Sequence, residues 1–589
     1  MNREHLFYKT ILVIIFITIW FFSFACVSNN HPKDVAQHIK QLNGSPGIYL
    51  PPPTGHFNTF VTYFINLGVY VDLVEQSMAM YSWGEDKWIP ILATSWEVDK
   101  KNNYFIAHLR KGVKFHDGTE LTADDVITTF YLGYLMNWAI WRYIDKVDAI
   151  DKYTVRFHMK LPSSVIDRYI LRQLIRCKSS YGDYGKKVKL LVDAGKNLKS
   201  EELKKIRLAF DQFRPEKRIG TGPFTIAMKD ITESEITLRK FPQYWDIDKI
   251  HFDQIKLYNG ETPTITPMVL AKELDYATHG FPPATEREFI REGIRIIRPP
   301  TFYGPSVAFN HSVYPFNVKE VKQAIAYAIN RDEVGYIALG PSAKKQVYMT
   351  GFSDNFVPKW LRPPVLNQLN RYEYNPAKAA EILTKLGFKK GNDGVWSTDS
   401  GQRMEYELLC VLEYADFAGA AENIALQLNK FGIKVSLRGI TAAQYTIELL
   451  QGRFQMAIVA WGVGHPHPHF SYYNDFIVYN YPLNTGPGIN FPLIQDIKPF
   501  GKVDIEDIIT KSTQGMDIEN QKDYVEELAL IFNEYLPMIP MFERYGNNPV
   551  NEGIRINSLP ETSPLYRNDF YNDSYFVIML LQGILKPAQ

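Results

Sequence analysis

The chain has 589 residues, more than one compact unit of ordinary size holds, so two or three domains or one fold with large insertions are expected. Hydrophobic residues make up 46% and charged residues 22%, which excludes a mostly disordered chain, a fibrous repeat and a polytopic membrane protein. Lys plus Arg is 65 against 64 for Asp plus Glu, a formal net charge of +1, so there is no bulk basic field for nucleic acid. Aromatic residues reach 14%, with 36 Tyr, 36 Phe and 10 Trp. Rings in that number fill a core, and they also suit a binding surface, because a flat ring gives wide contact with few rotors to freeze.

At the N-terminus Arg3 and Lys9 precede an apolar run from Ile11 to Phe22, broken only by Thr18. This is the pattern of an export signal over residues 1–25, and it is short for a spanning helix of about 20 residues. Cys26 follows Ser23-Phe24-Ala25 and resembles a bacterial lipobox, whose cysteine is lipidated and becomes the new N-terminus; Ser23 departs from the usual leucine. A plain secretory signal or an uncleaved anchor are the alternatives. Residues 26–45 open on the polar VSNNHPKD and read as a flexible tether. Loss of residues 1–25 removes Arg3, Lys9 and Glu4 and leaves a formally neutral chain. Only Cys177 and Cys410 remain, which reads as two buried thiols, with no CxxC metal motif.

Residues 46–59 are rich in Pro and Gly and predict a loop. WEVDKKNNYFIAHLRKGVKF predicts a hairpin, and Thr122 with Asp125 three residues on predicts a capped helix. Residues 147–160 alternate as a second hairpin, and the Lys-rich segment 184–217 has helical period. GTGPF at 220 leads into a strand, and 252–258 alternate as another. A helix is predicted over 318–335 and one from Asn375 or Pro376 to Leu386, stopped by Gly387. GNDGVWSTDSGQ at 391–402 is a turn-rich hairpin. Residues 419–440 read as helix, glycine stop and strand, and the unit recurs as a helix at 442–451 before FQMAIVAWG. The C-terminal half is thus α/β layers feeding one sheet.

No phosphate loop, dinucleotide fingerprint, HExxH or GxSxG elbow is present, so neither a cofactor nor catalysis is expected. Asp117, Asp124 and Asp125 sit beside a helix start, where carboxylates are favoured by the dipole. His465, His467 and His469 alternate with prolines. In an extended segment they would project largely to one side as a weak metal-site alternative; a polar loop with local hydrogen bonds is the bland reading.

WIPILATSWEVDKKNNYFIAHLRKGVKFHDGTELTADDVITTF from Trp88 is very similar to the signature region of the extracellular solute-binding proteins of family 5, the receptors of oligopeptide, dipeptide, nickel and oligosaccharide ABC importers. GTGPF at 220, YWDID at 244, VAFNHSVYPFNVKEVKQAIAYAINRDEV at 307, YNPAKAAEILTKLGF at 374 and IPMFERYGNNP at 539 follow in family order, over roughly residues 50–550. The resemblance implies a two-lobed α/β fold of the periplasmic-binding-protein type with a ligand cleft between lobes. It places the first lobe at 46–302 with an inserted subdomain at about 80–215, the second at 303–540, and a return to the first over 541–589. It also implies a monomer that closes on its ligand and presents it to permease subunits, lipid-anchored to the outer face of the cytoplasmic membrane or in the periplasm.

In peptide-binding relatives a strand ends in Trp, and an Asp three residues later pairs with the ligand's α-ammonium. Here Trp461 is followed at that place by Gly464, then His465, and no acid appears before Asp475. A desolvated ammonium needs a paired charge, so unless an acid reaches in from elsewhere an oligosaccharide is as good a ligand as a peptide. Trp461, Gly464, His465, Tyr303, Tyr81, Trp83 and Trp138 are the expected ligand contacts, with Trp88 and Trp141 as further rings. A metal or nickel-type chelate receptor is the alternative, and a surface hydrolase or adhesin the remaining one.

Overall fold

A computed structural model describes residues 39–480 and 487–589. Cys26, the export signal and most of the tether lie outside the described residues. The tether was expected to reach residue 45, but Gln41–Gly44 is a strand pairing parallel with Gln254–Tyr258. Leu42 is fully buried there, and the Asn43 backbone N–H donates to Asp275 at 2.7 Å. A single leucine among polar neighbours gives no periodicity, which is why this edge strand was missed.

The chain folds as two lobes. In the first, Gln41–Gly44, Gln254–Tyr258, Glu235–Lys240 and Phe224–Thr225 form a four-stranded sheet in that order. A second sheet orders Ala93–Asp99, Tyr104–Leu109, Thr154–Met159 and Ile144–Asp151, which are the two predicted hairpins. The helix Ala123–Leu135 packs on it, with the Thr122 N–H donating to Asp125 Oδ2 at 2.9 Å as the capping box requires. The Lys-rich segment is two helices, Lys178–Asp193 and Glu201–Asp211, not one. Gly195 turns the chain at φ +78° between them, a conformation that costs glycine nothing.

The second lobe is built on a mixed five-stranded sheet ordered Lys434–Ile440, Glu405–Val411, Met456–Gly462, Tyr303–Phe309, Met538–Pro540. Glu405–Val411 and Lys434–Ile440 run parallel, joined over the helix Ala415–Phe431 and the left-handed Gly432 at φ +107°. Pro376–Lys385 starts as predicted, the Asn375 side chain accepting from the Lys378 N–H at 3.0 Å. The expected helix 318–335 breaks at Asn330 into Lys319–Ala328 and Arg331–Leu339, because Asn330 caps the second piece by accepting from the Glu333 N–H. Apolar period alone cannot show such a break.

The chain passes between lobes near residues 298–302 and again after Arg544. Phe542–Arg544 still pairs with Ala343–Lys345 of the second lobe, whereas Asn548–Val550 pairs with Arg295–Ile297 of the first. The return therefore starts a few residues later than 541. From there the chain ends in the helix Tyr575–Leu581, buried in the first-lobe core. Among the described residues no helix is long and apolar enough to cross a membrane.

Candidate functional site

Between the lobes lies a cavity of about 540 Å³, within the range of small-ligand sites. The first lobe contributes loop residues 46–48 and the segment Thr278–Gly280; the second contributes the mouth of its sheet and the helix starts after it. Tyr303 opens the central strand and lines this cavity, as expected. The other rings there are Tyr414, Phe417, Tyr445, Tyr479 and Tyr571, none of which the sequence singled out.

Hydrogen bonds fix these rings. Tyr445 donates its hydroxyl to Ile458 O, and Tyr479 donates to Ala460 O at 2.7 Å, so both stand against the strand Met456–Gly462. Tyr571 donates to Thr278 O at 3.3 Å and accepts from Arg544 Nη1 at the same distance. Arg544 Nε lies 2.8 Å from Asp416 Oδ2, with both side chains nearly sealed from solvent. Burial acts against the Arg544 charge, yet Tyr571 and Asp416 hold its pKa above the ordinary guanidinium value. The contact is an ion pair with poor hydrogen-bond alignment: Arg544 Nε and Asp416 Oδ2 have no hydrogen-bond partner. Two opposite, incompletely satisfied charges therefore share the cavity wall with six rings. Across from them Glu261 Oε2 holds His279 Nδ1 at 3.0 Å.

Trp461 is not at this surface. Successive strand residues face opposite sides; Ile458 and Ala460 line the cavity, Val459 between them also borders it, and Trp461 does not. Trp461 turns the other way, is fully buried in the second-lobe core and donates Nε1–H to Phe542 O at 3.1 Å. Its strand partner is Gly304, where an added Cβ would stand 2.0 Å from that same Phe542 oxygen. The glycine thus admits the backbone that Trp461 bonds. Trp138 is likewise a packing residue, stacked on Phe60 at 5.7 Å within the first lobe. Trp83 stacks on Phe302 at 4.7 Å and donates Nε1–H to Asp573 at 3.2 Å.

Gly464 leaves no vacant place. A Cβ added there would lie 1.8 Å from Asp569 Oδ2. The acid absent from position 464 is matched by one from the C-terminal return, fully buried, with its carboxyl pushed up to about 7 by burial. Asp569 Oδ1 accepts from the Tyr571 N–H at 3.0 Å and so positions a ring of the cavity. Asp475, the next acid in sequence, accepts from the Gly462 N–H at 2.9 Å and is fully buried.

The three histidines do not converge. Pro468–Tyr472 is helical, so the extended alternation ends at His467. His465 Nδ1 accepts from Arg168 Nε at 3.0 Å. His467 Nδ1 accepts from the His469 N–H at 3.0 Å as a helix cap. His469 Nε2 meets the hydroxyls of Tyr143 and Tyr169, each at 3.1 Å, and Nδ1 lies 3.1 Å from Ile509 O. Five of their six ring nitrogens have protein partners, His467 Nε2 lying 3.4 Å from Gln521 Oε1, and no group of three metal-ligating side chains occurs among the described residues.

Tyr81 and Trp88 line a second, smaller cavity together with His467. Beside it Arg168 and Arg172 both pair with Asp573, Arg168 at 2.7 Å and Arg172 at 3.0 Å. Arg172 also pairs with Asp72 at 2.7 Å. Arg168 then reaches His465 across the lobes.

Known proteins resemble the whole arrangement. The di/tripeptide-binding protein 3 of Pseudomonas aeruginosa is 20% identical over 520 residues, covering 84% of this chain and 88% of its own. A mannohexaose-bound periplasmic oligopeptide-binding protein of Thermotoga maritima superposes with a TM-score of 0.76 at 20% identity, over 94% of this chain and 99% of the other. AppA of Bacillus subtilis, solved with a nonapeptide, gives 0.69 at 18% identity over 93% and 99%. Residues 87–481 match the family described as bacterial extracellular solute-binding proteins, family 5, and the chain belongs to it.

Proposed function

We propose that this protein is the receptor of an ABC importer and captures a short peptide in the cavity between its lobes. The observation that carries the reading is the Asp416–Arg544 pair set among six rings. A zwitterionic ligand satisfies both charges at once, while the rings hold its side chains. An oligosaccharide is the second reading, favoured by the same rings, since sugars stack on aromatic faces without an ion pair. Closure of the lobes would exclude water and strengthen each polar contact.

The division into a first lobe from Gln41 to 302, a second from Tyr303 to Arg544 and a return to the first after it is part of this reading, with the inserted subdomain at about 80–215. Its support is that the two sets of sheets share no strand. So is attachment of a monomer to the outer face of the cytoplasmic membrane, or its retention in the periplasm, through a lipid on Cys26, which would keep the receptor near its permease. Cys26→Ala should move the protein from the membrane to the soluble fraction; unchanged partitioning would remove the anchor.

Thermal-shift screening decides the ligand class. Stabilisation follows RT ln(1 + [L]/Kd), about 2.7 kcal/mol at a hundredfold excess over Kd. Di- and tripeptide pools should raise the melting temperature more than cello- or manno-oligosaccharides or Ni²⁺. A response to sugars alone would replace the peptide reading.

A further inference from the structure

The second cavity, of about 140 Å³, is separate from the one assigned above and is walled by both lobes. Tyr81, Trp88 and Arg168 come from the first lobe, Lys359, Trp360 and His467 from the second. Two of these residues carry buried donors with no partner: Arg168 Nη1 and Trp360 Nε1. The Arg168 side chain is 4% exposed and Trp360 is 2% exposed, so bulk water does not serve them. The remaining Arg168 nitrogens are taken, Nε by His465 at 3.0 Å and Nη2 by Asp573 at 2.7 Å. Its guanidinium also lies 5.7 Å from the ring centres of Trp83 and Trp88, which fixes its plane.

The acids at this cavity are already engaged. Asp167 accepts from the Arg168 N–H at 2.7 Å and from Trp88 Nε1 at 3.2 Å, and Asp86 accepts from the Tyr81 hydroxyl. Lys359 at the rim forms no ion pair among the described residues. Asp86 and Asp167 form no ion pair among the described residues either and offset the Lys359 charge, so what sets this wall apart is its two unpartnered buried donors. A buried donor left unmade costs about 1–3 kcal/mol, so two of them in one cavity mark a place built for an acceptor.

We propose that this second cavity is a carboxylate subsite, in which Arg168 Nη1 from one lobe and Trp360 Nε1 from the other hold the two oxygens of one carboxylate. The volume admits it: a water occupies about 30 Å³ in the liquid, so the cavity has room for a carboxylate together with a few waters or the first atoms of the chain that bears it. Because the donors belong to different lobes, a bound carboxylate ties them together and favours the closed form. Its source is either a free small carboxylate or the carboxylate end of the transported ligand.

The test titrates the whole protein with formate and with acetate at constant ionic strength, using chloride as the control and melting temperature as the readout. Formate or acetate should stabilise where chloride does not. Trp360→Phe keeps a ring against His467, 4.2 Å away, and removes only the donor; it should weaken the apparent affinity roughly tenfold, the loss of one hydrogen bond to a charged group. Lys359→Gln should weaken it less. A peptide with a free C-terminus that competes with acetate, while its C-terminal amide does not, assigns the subsite to the ligand's own end. Acetate binding untouched by either peptide assigns it to a free carboxylate. Carboxylates no better than chloride, or equal responses from wild type and Trp360→Phe, overturn the proposal and leave water as the partner of both donors. This outcome is independent of the peptide screen, since it is read without any peptide present.

Discussion

At the residue scale, burial decides what the histidines do. His469 donates from Nδ1 to the Ile509 carbonyl, so Nε2 is the acceptor for the hydroxyls of Tyr143 and Tyr169. Burial, then the nearby Arg142 charge, lowers its pKa to about 4. In the unfolded chain it titrates near 6.5. A depressed histidine is neutral when folded, so its contribution is fully present above about pH 6.5 and is lost as pH falls towards about 4, near 2 kcal/mol by pH 5. His465 and His467 are lowered by burial as well and act in the same direction. Asp475 and Glu543, raised to about 8 by burial, act in the opposite one. The informative quantity is therefore a difference between variants. His469→Gln should lower the urea midpoint at pH 7 and flatten its decline between pH 7 and pH 5. A slope equal to wild type would mean that His469 binds its proton equally well in the folded and unfolded chain.

At the element scale, a strand's alternation explains the main correction. Sequence reasoning located the strand ending at Trp461 and the glycine three places on, but the facing of a strand in a sheet covered on both sides is not written in its own residues. Ala457, Val459 and Trp461 are as apolar as Met456, Ile458 and Ala460, so no pattern tells cavity from core. Trp461→Ala should cost about 3–5 kcal/mol in unfolding free energy, the price of a large core cavity, and leave the ligand affinity of the folded protein nearly unchanged. Tyr445→Ala should do the reverse, because its ring is wall rather than core. Loss of affinity without loss of stability in Trp461→Ala would return that tryptophan to the site. Caps and stops were legible because they are local: Thr122, Asn375 and Gly432 act within a few residues of their own chain. The cavity was not, because Asp416, Arg544 and Tyr571 meet only after the chain has crossed between lobes twice. Of the rings named from sequence, Tyr303 alone lines the main cavity, and Tyr81 and Trp88 line the smaller one.

At the scale of the whole molecule, closure depends on contacts that a glycine permits. Gly280 belongs to the first lobe, and a Cβ placed on it would stand 2.5 Å from the Asp416 carboxylate of the second. Its backbone is not in the left-handed region, so alanine would be tolerated there in an isolated first lobe. In the closed form the added methyl must displace Asp416 from Arg544 or hold the lobes apart. Either way the cavity loses its charge pair or its lid, while neither core loses a contact. Gly280→Ala should therefore weaken ligand binding by tenfold or more, about 1.4 kcal/mol, with little change in the melting temperature of the free protein. Small-angle scattering should show the variant keeping the larger radius of gyration on ligand addition, where wild type contracts. Wild-type affinity in Gly280→Ala would mean that Asp416 and Gly280 do not meet in the ligand-bound state, and that the cavity closes by another approach of the lobes.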